Sequence, residues 1–164
     1  MGVEMICFID GDSRFNFRVS GVFVDSAGKK FLTNTRKGLD YCVLPGGRVE
    51  MGEDSATSLA REIEEELGVS VTIQGIKCIA ENFYDFEGKK SHELQYVYVA
   101  KLNDDKLENK NGKFLGVEEK DIFEWHNLDE IDTLNYVPAI LKPIISEVGR
   151  GDYDIRHIIH RGNG

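Results

Sequence analysis

The chain has 164 residues, 41% of them apolar and 30% charged, and its 29 acidic against 20 basic side chains give a formal charge of −9. That composition belongs to a folded globular protein, and a chain of this length buries roughly 70% of its unfolded surface without a metal or disulfide to help it fold. The negative balance argues against non-specific nucleic-acid binding, and any phosphorylated ligand would need local arginines or bound cations.

The opening stretch, MGVEMICFIDGDSRF, has no basic segment ahead of a long apolar run, so no signal peptide is read there. No segment approaches the ~20 apolar residues of a membrane span. Cys7, Cys42 and Cys78 are widely spaced with no C-x-x-C pair. They read as reduced thiols of a cytoplasmic protein, not as a disulfide framework or zinc site.

EMICFI, FNFRVSGVFV and KKFLTNT carry the alternation and β-branching of strands. LPGGRVEMGE then turns into a helix expected from Asp54 to Leu67, closed by Gly68 as a C-terminal cap. SVTIQGIKCIAENFYDF and SHELQYVYVAKL, joined by EGKK, read as a long hairpin. After the polar loop NDDKLENKNGK come a strand at IFEW and a second helix over VPAILKPIISEV, with Pro138 in its first turn and Pro143 bending it. DIRHIIHR reads as a final edge strand or as a segment covering a surface. There is no internal repeat and no regular βαβ rhythm. A mixed sheet flanked by helices is expected, within one domain spanning residues 1–164. DGDSRF and NDDKLENKNGK lack the spacing of a calcium loop, and no P-loop occurs.

The first helix is the most informative element. At about 100° per residue, Ala56, Leu59, Ala60, Ile63 and Leu67 form one apolar stripe. Glu62, Glu65 and Glu66 share the adjacent face, with Arg61 at its edge and Glu64 pointing away. Like charges three or four apart each cost an isolated helix about 0.2–0.5 kcal/mol. Hard cations such as Mg²⁺ or Mn²⁺ suit such an oxygen cluster and would offset the repulsion. Taken alone, E-x-x-E-E reads first as a solvated acidic face.

The longer pattern is more specific. Gly47, Glu53, Arg61, Glu62, Ile63, Glu65, Glu66, Gly68 and Val69 spell G-x5-E-x7-R-E-U-x-E-E-x-G-U, where U is a bulky aliphatic residue. This resembles the signature of the Nudix (MutT-like) hydrolases, and LPGG matches that family's approach to the helix. The resemblance implies an α/β protein with the Nudix fold, an α/β/α sandwich around a mixed β-sheet. It implies a metal-dependent hydrolase that cleaves the pyrophosphate linkage of a nucleoside diphosphate derivative. That class spans nucleoside triphosphates, ADP-ribose, dinucleoside polyphosphates and nucleotide sugars.

By the same resemblance, Glu62, Glu65 and Glu66 hold Mg²⁺ or Mn²⁺, and Glu62 also orients or deprotonates the attacking water. Glu53 pairs with Arg61 to brace the site, which Gly46, Gly47 and Gly68 support through their backbones. Arg36 resembles a phosphate-contacting arginine. Glu93 on the hairpin, and Glu118 or Glu119 before the Trp-containing strand, are candidate additions to the metal site. Tyr41, Phe83, Tyr84 and Tyr136 are candidates to stack on a base, while His157 and His160 read as surface residues. The expected partner is a small-molecule nucleotide, with no nucleic acid and no membrane; a homodimer is compatible with the sequence. The alternative is a Nudix-fold domain that senses a nucleotide without turnover, against which the complete set of glutamates counts.

Overall fold

The computed structural model describes residues 2 and 4–162. In chain order its elements are β1 (Cys7–Asp10), β2 (Ser13–Phe23), β3 (Lys30–Arg36), β4 (Gly46–Arg48), α1 (Ser55–Leu67), β5 (Val71–Phe86), β6 (Lys89–Leu102), α2 (Asp105–Glu108), β7 (Lys113–Leu115), β8 (Asp121–Asn127), α3 (Lys142–Gly149) and β9 (Arg156–Arg161). Short 3₁₀ turns lie at Leu128–Thr133 and Ala139–Leu141.

The expected mixed pairing and flanking helices are present, but the strands divide between two sheets. The larger runs β1-β2-β6-β5-β9 with β4 also paired to β2, and the smaller runs β3-β8-β7. β2 is parallel to β6 and β5 is parallel to β9, whereas the hairpin β5–β6 and the remaining pairs are antiparallel.

Strand alternation sends each face of the larger sheet into its own core. Val22, Cys78 and Val97 pack with Ile144, Ile145 and Val148 of α3. Val19, Phe23 and Ala100 pack with Leu59 and Ile63 of α1 and with Leu32, Phe123 and Trp125 of the smaller sheet. Helix α1 is thus wedged between the two sheets by its apolar stripe. Leu59 and Ile63 are fully buried, and truncating either to alanine costs about 2–5 kcal/mol at such a site.

The ends of α1 are set by local chemistry. Asp54 caps its start by accepting from Thr57 N at 2.9 Å and from Thr57 Oγ1 at 2.7 Å, a motif worth about 1 kcal/mol. Gly68 ends it at φ 70°, a left-handed conformation, and donates to Glu64 O at 2.9 Å.

The stretch VPAILKPIISEV departs from the single bent helix expected of it. A 3₁₀ turn precedes α3, and Pro143 falls in the first helical turn, where its missing N–H costs no helical bond. DIRHIIHR does form an edge strand, β9, beside β5. His157 and His160 project from opposite faces of it, to Glu81 Oε2 at 2.8 Å and Asn82 Oδ1 at 2.9 Å. Among the described residues no helix is long and apolar enough to cross a membrane.

Candidate active site

The site begins where β4 runs against β2. Gly46 has φ 148°, and a Cβ there would lie 2.2 Å from Val19 O, so only glycine fits. At Gly47 a Cβ would lie 2.0 Å from Glu62 Cδ. The Glu62 carboxyl group therefore occupies the room that any side chain at position 47 would need. These two glycines bring α1 and β4 close enough to share a cleft.

Arg61 ties the helix to the preceding loop. Its Nε donates to Glu53 Oε1 and its Nη2 to Glu53 Oε2, both at 3.0 Å, a bidentate fork. Nη2 also reaches Arg48 O at 3.2 Å, while Nη1 reaches Glu62 Oε1 at 3.0 Å and Glu65 Oε2 at 3.3 Å. The hydrogen bonds from Arg61 hold Glu53 below the ordinary carboxylate range, and those to Glu53 in turn raise Arg61.

Glu62, Glu65 and Glu66 share a helix face, yet they do not close on one point. Among the described residues no three His, Cys, Asp or Glu side chains gather as they would around a metal ion. Glu65 pairs with Arg61 as an i,i+4 neighbour at 3.3 Å and its side chain is 60% exposed. Glu66 instead enters the cleft. Its Oε2 is buried without a hydrogen-bond partner, and burial, followed by the charges of Asp121 and Glu62, pushes its pKa up to about 8. Burial raises Glu62 as well, against the pull of Arg61.

Asp121, the first residue of β8, is the carboxylate the sequence reading missed. It is buried beside Glu66, its Oδ1 lacks a hydrogen bond, and Arg36 Nε lies 3.6 Å from that atom. Glu118 and Glu119, named in its place, sit exposed at the tip of a turn closed by Asp121 N to Glu118 O at 3.0 Å. Glu118 pairs there with Lys120. Glu93 is buried and already occupied: its Oε2 accepts from Asn16 Nδ2 at 2.9 Å and from Tyr84 Oη at 3.4 Å.

The cleft has a volume of about 330 Å³, and Arg18, Arg36, Arg48, Gly47, Glu62 and Glu66 line it together with Tyr41. Two of these arginines, Arg18 and Arg48, escaped sequence reasoning. The available signals were an arginine inside the apolar alternation FNFRVSG and another directly after the paired glycines. Phe83 and Tyr84 line a separate hollow of about 590 Å³ that shares no residue with this cleft, and Tyr136 is buried.

The donor set suits a hard divalent cation: an unpartnered buried oxygen on Glu66, a second on Asp121, and a carboxyl group held against a glycine. A cation there would reverse the cost of burying Glu66 as an anion.

Comparison with known proteins fits this arrangement. The NUDIX domain profile matches residues 15–148. The low-salt glycan biosynthesis protein Agl8 of Haloferax volcanii is 42% identical over 69 residues, which span 40% of this chain and 44% of that protein. In solved structures, the fold resembles a UDP-X diphosphatase with TM-score 0.64 and 18% identity, covering 91% of this chain and 69% of the other. It also resembles a MutT protein from Bacillus halodurans with TM-score 0.61 and 21% identity, covering 87% and 86% of the two chains.

Proposed function

The chain belongs to the NUDIX domain family of hydrolases, and on that premise we propose that its cleft cleaves the pyrophosphate linkage of a nucleoside diphosphate derivative with Mg²⁺ or Mn²⁺. The observation that carries this reading is Glu66, a half-buried residue whose Oε2 is buried without a hydrogen-bond partner, lining a cleft with three arginines in a protein of net charge −9. An acid placed so is destabilising unless something cationic is meant to meet it.

Glu62, Glu65 and Glu66 would hold the ion, with Asp121 as a further carboxylate beside Glu66. Bound there, a divalent ion supplies charge neutralisation for the phosphates and lowers the pKa of water. Arg18, Arg36 and Arg48 bind and orient the phosphate groups through planar, always-charged donors. Glu62, made more basic by burial, accepts a proton from the attacking water, and the Arg61 bonds to Glu53 and Glu62 hold it in place. Water adds across the P–O–P bridge and two phosphorylated fragments leave. Such chemistry depends mainly on positioning and electrostatics.

The partial match to a glycan biosynthesis protein is the reason to test nucleotide sugars first. A panel of a nucleotide sugar, ADP-ribose, a dinucleoside polyphosphate and a nucleoside triphosphate, with Mg²⁺ or Mn²⁺, should yield phosphorylated fragments by chromatography, and Glu66→Gln should abolish them. Tight binding of a panel member without any turnover would favour the sensing domain instead. The cytoplasm is the expected location, supported by three cysteines that form no disulfide.

A further inference from the structure

Arg18 and Arg48 are direct partners across the antiparallel pair β2–β4. Like charges placed directly opposite destabilise a sheet. Both side chains are half-buried, and among the described residues neither has a carboxylate within salt-bridge distance, although acids outnumber bases in this chain. Arg18 lines the same cleft as Glu62 and Glu66.

What holds Arg48 is a neutral side chain. Its Nε donates to Asn16 Oδ1 at 3.0 Å, and Asn16 Nδ2 donates to Glu93 Oε2 at 2.9 Å. Asn16 and Glu93 are 6% and 8% exposed, so both are locked inside the sheet surface. The order of this chain is fixed by chemistry. A guanidinium only donates, so the amide must turn its oxygen to Arg48 and its NH₂ to Glu93, which accepts. Tyr84 Oη holds the same Glu93 oxygen from the far side at 3.4 Å. Nε of Arg48 is committed to Asn16 and Nη1 donates weakly to Met5 Sδ at 3.8 Å, while among the described residues Nη2 has no hydrogen-bond partner and the residue lines the cleft.

We propose that Arg18 and Arg48 form a two-guanidinium clamp for the second phosphate of a diphosphate, and that Asn16 and Glu93 are positioning residues that preset Arg48 for it. This rests on the reading of the cleft as a pyrophosphate site. The clamp selects a diphosphate over a monophosphate, because one phosphate engages the carboxylate end and Arg36 while the other offsets the repulsion between the paired arginines. Glu93 places a buried negative charge behind the pair, so Arg48 stays anchored when the cleft is empty. Presetting lowers the ordering cost of binding.

The test is calorimetry with methylenediphosphonate, which cannot be hydrolysed, and with inorganic phosphate, both in Mg²⁺. The readout is the ratio of the two affinities, which a general loss of structure would not change selectively. Arg48→Ala should lower the ratio by about tenfold, as loss of a charged bidentate contact does. Arg48→Lys should not restore it, because an ammonium lacks both Nε and the planar fork. Asn16→Ala should lower it by about fivefold alone but less than about twofold on the Arg48→Ala background, the coupling expected of residues in one network. If Asn16→Ala does not fold, Glu93→Gln carries the test: its carbonyl still accepts from Asn16, the charge is gone, and the ratio should fall only while Arg48 is present. An unchanged ratio in Asn16→Ala or Glu93→Gln, or losses that simply add, would overturn the proposal. Turnover of the substrate panel is scored separately: no turnover with intact coupling sinks the hydrolase reading alone, and turnover with additive losses sinks the clamp alone.

Discussion

Two clusters of buried charge in this molecule are built on opposite plans. Around Lys77, which is fully buried on β5, cations and anions are matched. Its Nζ lies 2.7 Å from Glu147 Oε2 and 3.5 Å from Asp152 Oδ1, and it donates to Asp154 O at 2.7 Å. Arg156 completes the cluster by meeting the same two carboxylates at 3.1 and 2.9 Å. At the cleft the matching is incomplete. Arg61 alone serves Glu53, Glu62 and Glu65, Glu66 and Asp121 keep oxygens without hydrogen bonds although Arg36 stands 3.6 Å from Asp121, and Arg18 and Arg48 face one another. The first cluster is complete within the chain and fastens the C-terminal segment to the sheet. The second leaves charged groups uncompensated within the chain, which is the pattern the proposed binding of a cation and phosphates would complete.

The contrast can be broken most directly through Glu147→Ala, which leaves the buried Lys77 ammonium without its nearest partner. It should cost about 3 kcal/mol in urea unfolding while leaving turnover per folded molecule unchanged. A loss below about 1 kcal/mol would mean that Asp152 and Asp154 suffice and the cluster is redundant. Glu66→Gln should do the reverse. Turnover should fall by at least about a hundredfold, yet the melting temperature in EDTA should be no lower than the parent's, since an unpartnered buried carboxylate has been neutralised. A clearly lower melting point would make Glu66 a structural residue.

A smaller effect is expected inside the Arg61 network. Glu53→Gln should reduce turnover much less on an Arg61→Ala background than alone, with a coupling of about 0.5–3 kcal/mol. Strictly additive losses would remove Glu53 from the bracing of the site.

The most diagnostic difference is one of sign with pH. The hydrogen bond from Lys77 lowers the pKa of Glu147, so its contribution is present above the unfolded value of about 4.3 and is lost as pH falls through the folded one. Glu66 is pushed up to about 8, so in EDTA the folded state holds a proton that the unfolded chain has released, and stability falls as pH rises between about 4.3 and about 8. Thermal melts in EDTA should therefore decline from about pH 5 to about pH 8 in the parent, and Glu66→Gln should flatten that decline. A parent that gains stability over the same range would contradict the buried state of Glu66.

Local pattern made α1 legible: the apolar stripe, the Asp54 and Gly68 ends, and the glutamates all lie within one short stretch whose geometry is helical throughout. Gly47 and Glu62 were readable as members of one signature, but their contact was not. The other half of the site depends on strand register. Nothing local says that Arg18 sits opposite Arg48, or that Asn16 meets Glu93 77 positions away. Glu118 and Glu119 were misplaced by one turn: the loop before β8 folds back on itself and delivers Asp121 inward while its glutamates stay in water. Glu65 shows a further limit, since helical phase gives the face of a side chain but not which neighbour captures it.

The parallel pairing of β5 with β9 carries a consequence for how this chain reaches its fold. β9 adds to a strand formed far earlier in the sequence, and the contact between Lys77 and Asp154 closes a separation of 77 positions. Loop-closure entropy must be met before such contacts return anything, so β9 and its ion cluster are expected to dock after the hairpin β5–β6 has formed. Interactions made that late are absent from the folding transition state and act almost wholly on the unfolding rate. On that order of events β9 is expected to act as a latch, adding little to the speed of folding and much to the lifetime of the folded molecule.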